Sequence, residues 1–271
     1  MQDSLLVLTN KIKLAGNDSV RLYYNALFKE TLRETVSSPG SFDFPFDSLK
    51  TLMKLTSEDK KCRIYTWNIP KGDGTNIYYG FIQLNTKANK KQLLFDLLDR
   101  SDSIADAEVR ILDPEHWYGS LYYKIIMTEF HDQKFYTLLG WRGLNSQITE
   151  KVIDVLLFND KEVPHFGAMV FKNFGNDKMC RVIFKYSSGA SMFLDYDEQF
   201  LHEKKKWNPS KKQFETENTK KHMIVCDELV PQDPILEGQF EYYIPSSEIF
   251  NGFSFINGFW TYFRNIDARN K

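Results

Sequence analysis

The sequence predicts a mainly β protein with an antiparallel meander and hairpin architecture and two N-terminal α-helices. Three observations predict it. From Arg63 to Phe263 the chain alternates short aromatic-rich runs with Asn, Asp and Gly at regular intervals, as strands and turns require. It carries 14 Tyr, 22 Phe and 5 Trp, residues that favour strands and fill the space between sheets. Its 42% apolar and 26% charged content over 271 residues is that of a folded core and fits one large β domain. The expected organisation is a helical segment over 1–58 docked on the sheet, then a single antiparallel β domain over 59–271.

Ser19 is positioned to cap a helix whose apolar residues Val20, Tyr23, Tyr24, Leu27, Phe28, Leu32 and Val36 recur three or four apart. A turn follows at 37–40. A second helix is expected from Asp47 or Ser48, with Leu49, Leu52, Met53 and Leu55 on one side and Phe46 as a hydrophobic staple. Both are too short to stand alone, so they must dock.

Strand signals then take over. The runs 63–67 and 77–82 flank the loop Lys71-Gly72-Asp73-Gly74, and 93–98 extends the pattern. Runs 121–130 and 135–141 flank His131–Lys134, and 151–158 turns at Asn159-Asp160 toward 165–171. A further hairpin is expected from 181–186 through Ser187-Ser188-Gly189 into 191–196. Asn257-Gly258 supplies the positive φ that a two-residue hairpin loop needs between 253–256 and 259–263. The Lys-rich stretch 201–221 around Trp207-Asn208-Pro209 reads as a long solvated loop, with a basic finger anchored by Trp207 as the sharper reading. Asp59-Lys60-Lys61-Cys62-Arg63-Ile64 is echoed by Asp177-Lys178-Met179-Cys180-Arg181-Val182. A true repeat would favour a propeller-like stack of small sheets over a two-sheet sandwich.

The net charge of −1 offers no global field for polyanions, so nucleic acid is not an expected partner. No run approaches the roughly 20 apolar residues of a membrane span. Three separated cysteines, Cys62, Cys180 and Cys226, form neither a zinc knuckle nor a C-x-x-C pair. They read as buried small hydrophobes, and one disulfide is open to an exported protein.

The five histidines lack H-x-H and H-x-x-x-H spacing. Phosphate-cradling and dinucleotide glycine motifs and a nucleophile elbow are also missing, so no metal and no cofactor is expected. Asp195, Asp197 and Asp227 are the candidate catalytic carboxylates. If each cluster ends its strand, antiparallel pairing need not bring Asp195 and Asp197 together with Asp227. Trp117, Trp141 and Trp207 are the candidate ligand-stacking residues.

Five segments, Cys62–Asn68, Leu138–Trp141, Ala190–Glu198, Leu229–Gly238 and Asn265–Asn270, resemble an uncharacterised family of predicted exported proteins from Bacteroidetes. The resemblance implies a periplasmic or secreted location and a signal removed ahead of Met1, although this chain itself shows no signal peptide. It transfers no catalytic residue. The expected role is a non-enzymatic binding or structural one in the bacterial envelope, toward a glycan or protein ligand. The alternative is a carboxylate-dependent glycan hydrolase, which needs two carboxyls roughly 5 to 10 Å apart in a cleft.

Overall fold

The structure, a computed structural model, describes residues 2–85, 93–202, 206–215 and 218–266. It is mainly β, with 48% strand against 21% helix, and α-helix among the described residues occurs only before Cys62. That is the fold class the sequence predicts. No described helix is long and apolar enough to cross a membrane.

Two helices form a hairpin, α1 (Gln2–Leu14) and α2 (Asp18–Ser37). The cap of α2 is Asn17 rather than Ser19, its side chain accepting from Val20 N at 3.0 Å. The buried face of α2 holds Asn25, Phe28, Leu32, Thr35 and Val36, whereas Val20, Tyr23 and Leu27 face solvent. The expected stripe therefore holds only in its C-terminal half. The helix expected from 47 or 48 to 55 is not formed. Phe46 adopts a positive φ of 50°, the chain runs through turns that bury Phe46, Leu49 and Leu52, and Met53–Thr56 becomes a strand.

The first sheet has the order β1-β2-β3-β4, with β1 Met53–Thr56, β2 Cys62–Pro70, β3 Asn76–Leu84 and β4 Leu93–Leu98, all antiparallel. Alternation along β2 splits its side chains. Tyr65, Trp67 and Ile69 pack under the helices with Phe28 and Leu32, while Cys62 and Ile64 face the second sheet.

The second sheet contains β5 Leu121–Phe130, β6 Gln133–Gly143, β7 Ile148–Phe158, β8 Pro164–Phe166 and β10 Val182–Ser187, in the order β10-β7-β6-β5 with β8 on β7. The β5–β6 hairpin turns through His131 and Asp132, both with positive φ. Leu138, Val152 and Leu156 point toward the first sheet, and Leu139, Ile153 and Val155 away from it.

That opposite face meets a third sheet. It comprises β9 Phe171–Lys172, β11 Leu194–His202, β14 Asn218–Pro231, β15 Tyr243–Ile256 and β16 Phe259–Ile266, in the order β11-β14-β15-β16-β9, with β9 parallel to β16. Trp260 is fully buried at this junction and donates from Nε1 to Thr137 Oγ1 at 2.9 Å, joining the two sheets. The molecule is thus layered as helices, first sheet, second sheet and third sheet, a sandwich architecture rather than a ring of blades.

Three local expectations are corrected, and the Cys-Arg echo is no repeat of the fold. Residues 181–196 are no hairpin: β10 pairs with β7, and β11 pairs with β14 in another sheet. The run 165–171 is interrupted, β8 ending at Phe166 and β9 starting at Phe171. Within 201–221, β14 starts at Asn218, and β12 Lys206–Asn208 pairs with β13 Gln213–Glu215, so this stretch is a strand ribbon more than a loop. The Cys-Arg echo marks unequal places, since Cys62 opens β2 inside the first sheet and Cys180 precedes β10 at the edge of the second. The Asn257-Gly258 turn forms as expected, with φ of 49° and 84°, and a Cβ on Gly258 would lie 2.6 Å from the Phe130 ring.

Candidate functional site

A cavity of about 530 Å³ lies where α1, the end of β2 and the turn before β1 converge. This is within the size range of small-molecule sites. Its floor is Ile12, Phe28, Trp67 and Ile69, with Leu6, Thr9 and Asn10 of α1 on one wall and Ser48, Lys50 and Thr51 on another.

The site is held by contacts between elements far apart in sequence. Asp18, in the first turn of α2, accepts from Gly72 N at 3.0 Å, so the β2–β3 turn is clamped to the helix start. Arg21 pairs with Asp18 at 2.6 Å and donates to Pro70 O at 2.8 Å, fixing the end of β2 beside α2. Outside the lining, Lys54 donates to Phe46 O at 2.8 Å, which braces the turn that carries Ser48, Lys50 and Thr51, and burial lowers its pKa.

Trp67 dominates the floor, but its surfaces are already used. Its ring stacks on Tyr79 at 5.6 Å and 16°, meets Phe28 edge-on at 5.4 Å, and donates from Nε1 to the buried Asn25 Oδ1 at 2.8 Å. The cavity therefore presents an apolar floor without a free aromatic face. Its ionisable lining groups are Lys13, Arg21 and Lys50, and among the described residues no carboxylate, thiol or imidazole lines it.

The residues singled out by sequence lie elsewhere. Trp117 is fully buried and donates from Nε1 to Tyr122 Oη at 3.0 Å, which corrects its expected place on a stacking surface. The loop that carries it is covered by two sheets rather than exposed. Trp141 is half-buried near the end of β6, and Trp207, on β12, is 51% exposed.

Asp195 and Asp197 sit at the start of β11 rather than at a strand end, and the Leu194↔Cys226 register brings Asp227 beside Phe193. Pairing thus brings the two clusters near each other, and alternation puts all three carboxylates on one face of the strand pair. Their partners differ. Asp195 pairs with Lys124, Asp197 accepts from Glu198 N at 2.8 Å, and Asp227 accepts from Phe193 N at 2.6 Å. Burial raises the Asp227 pKa, which that hydrogen bond only partly offsets. None of the three lines the cavity above or a second one of about 350 Å³ around Ile104, Arg110, Asp113 and His116.

One polar constellation was not foreseen. Between the first two sheets, Arg142 pairs with Glu150 at 3.3 Å and Arg181 with Asp154 at 2.8 Å, every one of these side chains 3% exposed or less. Tyr118 donates to Glu150 at 2.8 Å, and its ring lies 4.6 Å from the Arg142 guanidinium and 5.7 Å from that of Arg181. This buried network anchors the 99–120 segment through Tyr118, Ser101 and Ala107. It opens onto neither cavity.

All three cysteines are free and buried. Among the described residues no group of three or more His, Cys, Asp or Glu is placed to hold a metal ion. No family model matches the chain, and comparisons with curated proteins and with solved structures found no match.

Proposed function

We propose that this protein is a non-enzymatic binding protein that receives a small ligand in the cleft between the N-terminal helical hairpin and the first sheet. The observation that carries this reading is the lining of the 530 Å³ cavity, an apolar floor with amide, hydroxyl and cationic groups around it. A few polar groups around an apolar concavity fix orientation and provide specificity. The pair of carboxyls that glycan hydrolysis requires is missing from this lining, which among the described residues has no carboxylate.

The engagement of Asp195, Asp197 and Asp227 with separate partners, away from the two cavities described, supports binding over glycan hydrolysis. The periplasmic or secreted location implied by the family resemblance belongs to the same proposal and would place the cleft among envelope solutes. Trp207, half exposed on its strand ribbon, is a second recognition surface for a glycan or protein.

A ligand-observed NMR screen of small apolar and amphiphilic compounds tests the reading, with Thr9→Trp as control. Thr9 is partly exposed on the face of α1 that lines the cavity, where a larger side chain projects into the cleft. Hits that bind the native protein and not Thr9→Trp support the proposal. Hits insensitive to Thr9→Trp, or none at all, refute it.

A further inference from the structure

We infer that the ligand class of the cleft is a single-chain amphiphile with an anionic head, of which a medium-chain acyl carboxylate is the simplest member. The inference rests on the reading of the cleft as the ligand site.

Charge gives the head. Lys13 on α1 and Lys50 on the facing turn both line the cavity and both are exposed, and neither has an ion pair among the described residues. The third cation, Arg21, is already matched by Asp18. Among the described residues the cleft thus carries two positive charges without an ion-pair partner, in a chain whose net charge is −1, so the local excess does not follow from overall composition. An anion held between the two ammonium groups gains from both, while an uncharged head gains from neither.

Shape and polarity give the body. Leu6 and Ile12 offer apolar surface above the buried Phe28, Trp67 and Ile69, and the buried polar atoms nearest them are spent internally. Trp67 Nε1 is bonded to Asn25, and Asn68 Nδ2 to Asn76 Oδ1 at 2.7 Å. A sugar or nucleotide would bring hydroxyls and ring nitrogens onto this floor without partners, and burying an unpaired polar group is unfavourable. Stacking on Trp67 could not repay that, because Tyr79 and Phe28 already occupy it. An alkyl chain has no such groups to satisfy.

Isothermal titration calorimetry with decanoate, decanol and decyltrimethylammonium, each below its micellar range, tests the inference on the full chain, on the surface variant Lys13→Glu/Lys50→Glu and on Thr9→Trp. Decanoate should bind the native protein, lose about tenfold or more in the double charge reversal, and lose measurable binding in Thr9→Trp. Decyltrimethylammonium should prefer the charge-reversed variant. Equal affinity for decanoate and decanol, unchanged by the reversal but abolished by Thr9→Trp, would overturn the anionic-head inference and leave the cleft standing as a ligand site. Decanoate binding untouched by Thr9→Trp would overturn both.

Discussion

Arg181 Nε lies 2.8 Å from Asp154 Oδ2, and neither side chain has any exposed surface. The pair joins the start of β10 to the middle of β7, and Arg181 Nη1 also donates to Ala107 O at 2.6 Å, drawing the long 99–120 segment against the second sheet. Desolvating two charges is costly, and such a pair holds only while both members are present. Asp154→Ala should therefore destabilise the protein by about 3–5 kcal/mol, and the apolar replacement Asp154→Leu/Arg181→Met by less than Asp154→Ala alone. Urea unfolding of the three proteins checks this. A single-variant loss below about 1 kcal/mol would show that the interior does not depend on the pair.

Glu150 gives a pH dependence of definite sign. Burial raises its pKa, and the neighbouring Arg142 and the Tyr118 hydroxyl do not fully reverse this. Between the ordinary Glu range and that raised value, the folded protein holds a proton there that the unfolded chain releases. The contribution to stability is complete below the ordinary Glu range and lost as pH rises through the raised folded value. Glu150→Gln should flatten that part of the stability profile. An unchanged slope between native protein and variant, measured by urea unfolding from pH 4 upward, would count against the assignment.

Asp59 has the opposite sign. Burial favours its neutral form, but hydrogen bonds from Lys134, Ser57, Lys61 N and Tyr136 outweigh that and hold its pKa at about 2. These contacts tie the turn before β2 to β6 at the second sheet. The stability they give is present above the ordinary Asp range and is lost as pH falls toward about 2. Asp59→Asn should cost about 1–2 kcal/mol at neutral pH, after allowance for solvent screening at a partly exposed site, and nearly nothing at pH 2. Thermal unfolding at the two pH values compares them directly.

The thiols should be inert in the native state. Burial pushes the Cys62 thiol up to about 12 and raises those of Cys180 and Cys226. Thiolate is the reactive form, so a disulfide reagent at pH 8 should label all three slowly before unfolding and rapidly after it. Fast labelling of any one in the folded protein would mean that its strand opens locally.

The mainly antiparallel β class and most hairpins were legible, because alternation and loop chemistry are local signals. The β5–β6 and β15–β16 turns, at His131-Asp132 and Asn257-Gly258, are of that kind. What failed was set by distant contacts. Leu49, Leu52 and Leu55 have helical spacing, yet Leu49 and Leu52 are buried under the helical hairpin and Leu55 lies in β1, aligned to Ile64. Ser187–Ser191 carries hairpin chemistry, but its flanking strands find β7 and β14 instead of each other. Trp117 reads as a loop residue, and no sequence pattern shows that its loop lies between sheets.

The candidate cleft was hidden for the same reason. Its walls come from residues 6–28, 48–51 and 67–70, which share no motif. The one available signal was Leu5, Leu8 and Ile12, whose spacing of three and four announces α1.

The most direct measurement of the central claim is amide chemical-shift mapping of the labelled protein with a compound found by the ligand screen. The account predicts shifts concentrated on residues 6–13, 48–51 and 67–70, and their loss in Thr9→Trp. Shifts centred on the Trp207 ribbon, or on Asp195, Asp197 and Asp227, would contradict it.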